Sequence, residues 1–308
     1  MKILKQPKAV LLLIIITLAA CTGVSGGFQS KLSGGNTVDS NMPAFENRLD
    51  TDHFVLRWTN RSSHTADNIS DPAVVKQTAG YLETAWGKYT ELFGRTPHTA
   101  PGKDKVEVVF RDFDCYGLAD PPDGPIQFNA HAWMKNPGIR QPTSAHELFH
   151  KMQYAYGYKT GWSPKKPYLW FTEGTAAWAE VYVWGRVSRT CKVDEIFKDT
   201  KLDLYEADDM AMPFWIYFVS GNREEPNHKL MVKLFEKCEQ LKDEKRALNE
   251  VIQEYYGPPE KFFAAFSKDR KKGFWTETCS VPYRCILGPD GKDMVDKVKN
   301  IQKKGKNG

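Results

Sequence analysis

Apolar residues alternate along Phe54-Val-Leu-Arg-Trp58, with Phe54, Leu56 and Trp58 on one side of a period of two, and predict a strand. The pattern then changes to the helical period. Val75, Ala79, Leu82, Trp86, Tyr89 and Phe93 recur at three- and four-residue spacing, between a Ser70-Asp71-Pro72 start signal and Gly94 as a stop. Lys105-Val-Glu-Val-Val-Phe110 predicts the next strand. After a segment rich in Gly, Pro and Asp, Ile126-Gln-Phe-Asn129 predicts a further strand, expected at the edge of the sheet. Beyond residue 157 the period is almost wholly helical. Gly161, Pro164 and Pro167 mark a loop, and helices are expected at 169–184, 209–220, 228–242, 245–256 and 259–270. Tyr256-Gly-Pro-Pro259 separates the last two. Mixed strands and helices followed by helices alone predict an α+β fold with a cleft between an N-terminal lobe, 46–156, and a helical lobe, 157–290. No internal repeat is evident.

The two ends of the chain carry no such pattern. Lys2, Lys5 and Lys8 precede an apolar run from Ala9 to Ala20 that suits a signal peptide and is too short to span a membrane. It ends in Leu18-Ala-Ala-Cys21, which resembles the bacterial lipobox. That resemblance implies cleavage before Cys21, a lipidated Cys21, and a protein held in the bacterial cell envelope, facing the periplasm or on the surface. Residues 21–45 are rich in Gly, Ser, Thr and Asn and read as a flexible tether; 291–308 is a lysine-rich tail. Removing the leader's three lysines takes the formal charge from +5 to +2. Outside the tail the basic residues are scattered, so no nucleic-acid partner is expected. A hydrophobic content of 41% over 308 residues is ample for a core.

The chemistry concentrates in Thr143-Ser-Ala-His-Glu-Leu-Phe-His150. On a helix His146 and His150 share a face about 6 Å apart along the axis, so both imidazoles can reach one ion. Glu147 then lies beside that ion, able to hold and deprotonate a water without being a ligand. A catalytic zinc ion takes three protein ligands and an open position. Trp170-Phe-Thr-Glu-Gly-Thr-Ala-Ala-Trp-Ala-Glu180 offers Glu173 as the third ligand, 22 residues separating it from His150. Ala176, Ala177 and Glu180 share its helix face; Glu180 is either a partner for a ligand imidazole or a partly solvated charge.

His-Glu-x-x-His followed by Trp-x-x-Glu-Gly-x-Ala-x-x-x-Glu resembles the gluzincin metallopeptidases, the aminopeptidase N and hyicolysin families especially. The resemblance covers residues 143–180. It implies a zincin-like fold, His146, His150 and Glu173 as zinc ligands and Glu147 as general base. It also implies a protein or peptide substrate lying along the edge strand, with a tyrosine or histidine beyond the third ligand stabilising the oxyanion. Tyr205, Tyr217 and His228 are the candidates, and Tyr205 is preferred because it is expected in a loop entering the cleft. Thr172 stands where aminopeptidases usually have Asn, and no Gly-x-Met-Glu-Asn segment occurs upstream. The expectation is therefore a lipid-anchored zinc endopeptidase. A binding or structural lipoprotein that keeps the metal for stability is the alternative.

The remaining histidines and cysteines add little. His53, His64, His98 and His131 lack ligand spacing. Besides Cys21 there are Cys115, Cys191, Cys238, Cys279 and Cys285, none in a CxxC pair. Export permits disulfides: Cys279–Cys285 encloses a small loop, Cys115–Cys191 is possible, and Cys238 lies on an apolar helix face as a free thiol.

Overall fold

The Phe54–Trp58 strand (β2) is one of five in a mixed sheet. The computed structural model describes residues 43–119, 121–158, 169–185, 204–206, 211–221 and 225–271. The leader, the tether up to residue 42, Cys191, Cys279, Cys285 and the basic tail therefore lie outside the described residues, as does most of the 157–167 loop. Among the described residues no helix is long and apolar enough to cross a membrane. The class is α+β, with the sheet in the N-terminal part and a helical C-terminal part.

Strand β1 (Asn47–Asp50) runs antiparallel to β2, while β3 (Val106–Arg111) and β5 (Ile126–Asn129) continue the sheet in parallel. The two-residue β4 (Gly117–Leu118) closes it antiparallel to β5, giving the order β1-β2-β3-β5-β4. Ile126–Asn129 is thus not the edge strand expected from the sequence. All four of its residues are buried, as suits a strand with neighbours on both sides. The outermost position belongs to β4, too short to show a period.

Helix α1 (Pro72–Phe93) makes the crossover that the parallel pair β2–β3 requires. The Asp71 carboxylate accepts the Ala73 N–H at 2.9 Å, Pro72 occupies the first turn, and Gly94 closes the helix at φ 62°. The Tyr89 hydroxyl, on the buried face, donates to the Ala145 carbonyl at 2.8 Å and ties α1 to the next long helix. After the short α2 (Ala130–Lys135) comes that helix, α3 (Pro137–Ala155), buried without a break from Pro142 to Tyr154. Most polar groups on such a helix must be met from within the protein: the Ser144 hydroxyl donates to the Arg140 carbonyl at 2.6 Å, whereas Thr143 Oγ1 is left without a hydrogen bond.

Helix α4 (Leu169–Trp184) packs along α3, and α5 (Met212–Ser220) packs on α4. Gly174 permits the second contact: a Cβ there would stand 2.6 Å from Trp215 Nε1 and 2.9 Å from Ala211 Cβ. The Trp215 indole stacks on Trp170 at 5.2 Å and donates to the Trp170 carbonyl at 3.0 Å. Helices α6 (Lys229–Leu241), α7 (Glu244–Tyr256) and α8 (Pro259–Lys271) complete the helical part, and one hydrophobic cluster runs from Phe54 to Phe266. Cys238 is a buried free thiol, as its helix face predicts; burial, then the charges of Glu244 and Asp243, hold it well above the usual thiol range.

Candidate metal centre

The helical spacing brings His146 and His150 together on α3, ring centroids 5.0 Å apart, and the α3–α4 packing sets Glu173 before them. Glu173 Oε2 lies 3.1 Å from His146 Nε2, and Glu173 Oε1 lies 3.7 Å from His150 Nε2. One ligand atom from each residue falls within 4.8 Å of the others, so the group could hold a metal ion. Zn–N and Zn–O bonds of about 2.0–2.2 Å in a tetrahedron place neighbouring ligand atoms about 3.3–3.6 Å apart, and each Nε2 has one Glu173 oxygen near that separation, a different oxygen for each imidazole. The Glu173 side chain is 31% exposed, leaving the group open on its side.

Each imidazole is held from behind. His146 Nδ1 donates to Glu180 Oε1 at 2.7 Å, and Glu180 is 2% exposed. Of the two roles open to Glu180, it therefore takes that of partner to an imidazole. His150 Nδ1 meets Gln153 Oε1 at 2.9 Å, and Gln153 Nε2 donates to the Thr172 carbonyl at 2.8 Å and to Thr175 Oγ1 at 3.0 Å. A carbonyl only accepts, so the amide nitrogen must face Thr172 and its oxygen must face His150. His150 Nδ1 is then the donor to Gln153, which leaves Nε2 as the ring atom facing Glu173. Gln153 is wholly buried and was not singled out in the sequence, although three residues after His150 is a contact distance on a helix.

Charge makes the same demand. Burial works against a charge on His146, yet its hydrogen bonds to Glu173 and Glu180 and the nearby charges of Glu180 and Glu147 outweigh it, and the ring is raised well above its usual value. Three carboxylates around two imidazoles stabilise a cation at this place, a proton or a metal ion.

Glu147 is buried between the metal group's helix and the outermost strand. A Cβ on Gly117 would stand 2.4 Å from Glu147 Oε1 and 2.5 Å from its Cγ, so β4 can approach the carboxylate this closely only through glycine. The neighbouring Cys115 thiol donates to the Gly117 carbonyl at 3.2 Å, and its proposed partner Cys191 lies outside the described residues. Tyr116 and Leu118, on either side of Gly117, are exposed.

The other candidates have different surroundings. Tyr205, in a 3₁₀ turn (Leu204–Glu206), sets its ring against Trp170 at 5.0 Å and under Lys245 Nζ at 3.9 Å. The Tyr217 hydroxyl lies 3.4 Å from Asp269, and burial, then the Asp269 charge, push it up to about 12. His228 sits against Trp178 and Tyr182, and burial lowers it to about 4. His53, His64 and His98 pair with Glu83, Asp112 and Asp123, outside the metal group.

No family profile matches the chain, and no curated protein matches it in sequence.

Proposed function

We propose that this protein is a zinc-dependent endopeptidase of the gluzincin type, with His146, His150 and Glu173 holding the ion and Glu147 as general base, acting on an extracytoplasmic protein substrate. The observation that most supports the reading is the position of Glu147. It shares α3 with both histidines, is withheld from the ligand set, and lies against the outermost strand, on which an extended peptide could pair its backbone. Zinc in such a group supplies acid strength to a water and polarises a carbonyl. Glu180 and Gln153 keep the two imidazoles in the tautomer that offers Nε2. Glu147 takes the proton from water as its oxygen bonds to the scissile carbonyl carbon, and passes it to the departing amine as the C–N bond breaks.

The test is Glu147→Gln, which keeps shape and removes the base. Folding and zinc content should stay at wild-type levels while cleavage of casein, sensitive to chelator in the wild type, falls by at least about a hundredfold. Zinc-loaded wild type that leaves casein and a mixed peptide library uncut would favour the scaffold reading. The proposal includes lipid anchoring at Cys21: Cys21→Ser should release the protein from the membrane fraction, and an intact mass showing an unmodified Cys21 would reject the anchor.

A further inference from the structure

Lys151 follows His150 directly and is 1% exposed. A buried ammonium persists only where its N–H groups are met. Here Lys151 Nζ donates to the carbonyls of Pro122 and Gly124 at 2.7 Å each, with the Pro121 carbonyl at 3.4 Å. Those residues belong to the connection between β4 and β5. Lys151 is also four residues after Glu147, one turn along the same face of α3. That face therefore grips the β4–β5 hairpin at two levels, Glu147 against Gly117 of the outermost strand and Lys151 in the connection beyond it. A second tie holds the same connection: the His98 N–H donates to the Lys151 carbonyl at 2.9 Å, and His98 Nε2 meets Asp123 Oδ1 at 2.7 Å.

We infer that Lys151 is a positioning residue that fixes the outermost strand to the metal helix, so that a peptide paired with β4 meets Glu147 and the metal group in register. Its consequence for substrate rests on the peptidase reading; the mechanical tie does not. The carbonyls that Lys151 Nζ bonds belong to the β4–β5 connection and not to the metal group, so its loss should separate two properties that simple destabilisation would lower together.

The experiment uses the full, zinc-loaded chain with Lys151→Met and Lys151→Arg. Amide hydrogen exchange at 116–119 and 121–129 should quicken by about tenfold or more in Lys151→Met while 143–150 keeps its protection. Zinc affinity by chelator competition should stay within about threefold of wild type, well inside the loss expected when a ligand's own partner is removed. KM for a peptide cleaved by the wild type should rise by about tenfold or more, because a displaced strand misplaces the substrate. Lys151→Arg, which keeps the cation and its donors, should recover part of both effects. Lys151→Gln, with two N–H donors on a shorter side chain, is measured alongside should the methionine variant not fold, with the same split at smaller size. Unchanged exchange in the hairpin, or a loss shared equally by α3 and zinc affinity, overturns the inference. If no protein cleaves any peptide, the peptidase reading fails while exchange and zinc affinity still decide the role of Lys151.

Discussion

The two histidines of the metal group are held by unlike partners, a carboxylate behind His146 and an amide behind His150. Glu180→Gln keeps an acceptor for His146 Nδ1, whereas Gln153→Leu leaves both the His150 N–H and the Thr172 carbonyl without that bond. Both should weaken zinc retention within the range of about ten- to a hundredfold, with Gln153→Leu nearer the upper end and Glu173→Gln, which alters a ligand, beyond both. Chelator competition on the three purified variants checks the order; wild-type affinity in Gln153→Leu would remove the amide from the centre. His146 and His150 were legible as a pair on one face of α3 with Glu147 beside them, and Glu173, on α4, was legible because such a pair wants a third partner to hold an ion. Glu180 was legible as a residue on the face of Glu173. The amide was within reach of the same helical argument, but Lys151 was not: the residues that answer its charge are backbone carbonyls some thirty positions earlier, which no side-chain pattern reveals.

Elements were readable in proportion to how much apolar surface they bury. Helix α4 occupies Leu169–Trp184, the range its pattern gives, and the start of α1 follows from Asp71 and Pro72. Strand β1 has only Leu49 as an apolar position, and β4 is two residues long with one of them glycine, so neither carries a period. That is why the inner strand Ile126–Asn129 was expected at the edge. Yet β4 lies closest to Glu147, and its glycine is a matter of space. Gly117→Ala would drive a methyl group into Glu147, and either the strand or the carboxylate must move. The expected result is retained zinc with peptidase activity lowered by about a hundredfold, the loss an ångström's misplacement can cause. Wild-type turnover by Gly117→Ala would show that the contact is not needed.

At the scale of the molecule, two buried histidines link stability to pH in opposite senses. Without metal, His146 is raised in the folded state, so its contribution is full below its ordinary value and is lost as pH rises through the folded one. His228 is lowered from 6.5 to about 4 by burial where α4 meets the start of α6, against Trp178 and Tyr182. Below pH 6.5 the unfolded chain binds a proton there that the folded chain refuses, so stability falls with acid until about pH 4. At pH 5 the loss relative to pH 8 is about 2 kcal/mol if the whole shift is realised, since each pH unit between the two values costs about 1.4 kcal/mol. His228→Phe keeps an aromatic ring for Trp178 and Tyr182 and removes the titration. Urea unfolding of metal-free wild type and variant at pH 8 and pH 5 isolates the effect, because His146 is common to both and cancels in the difference. The variant should lose less stability than the wild type over that interval, by up to about 2 kcal/mol. Equal losses would mean that His228 takes up its proton in the folded chain near the ordinary value, and that the acid limb of stability arises elsewhere.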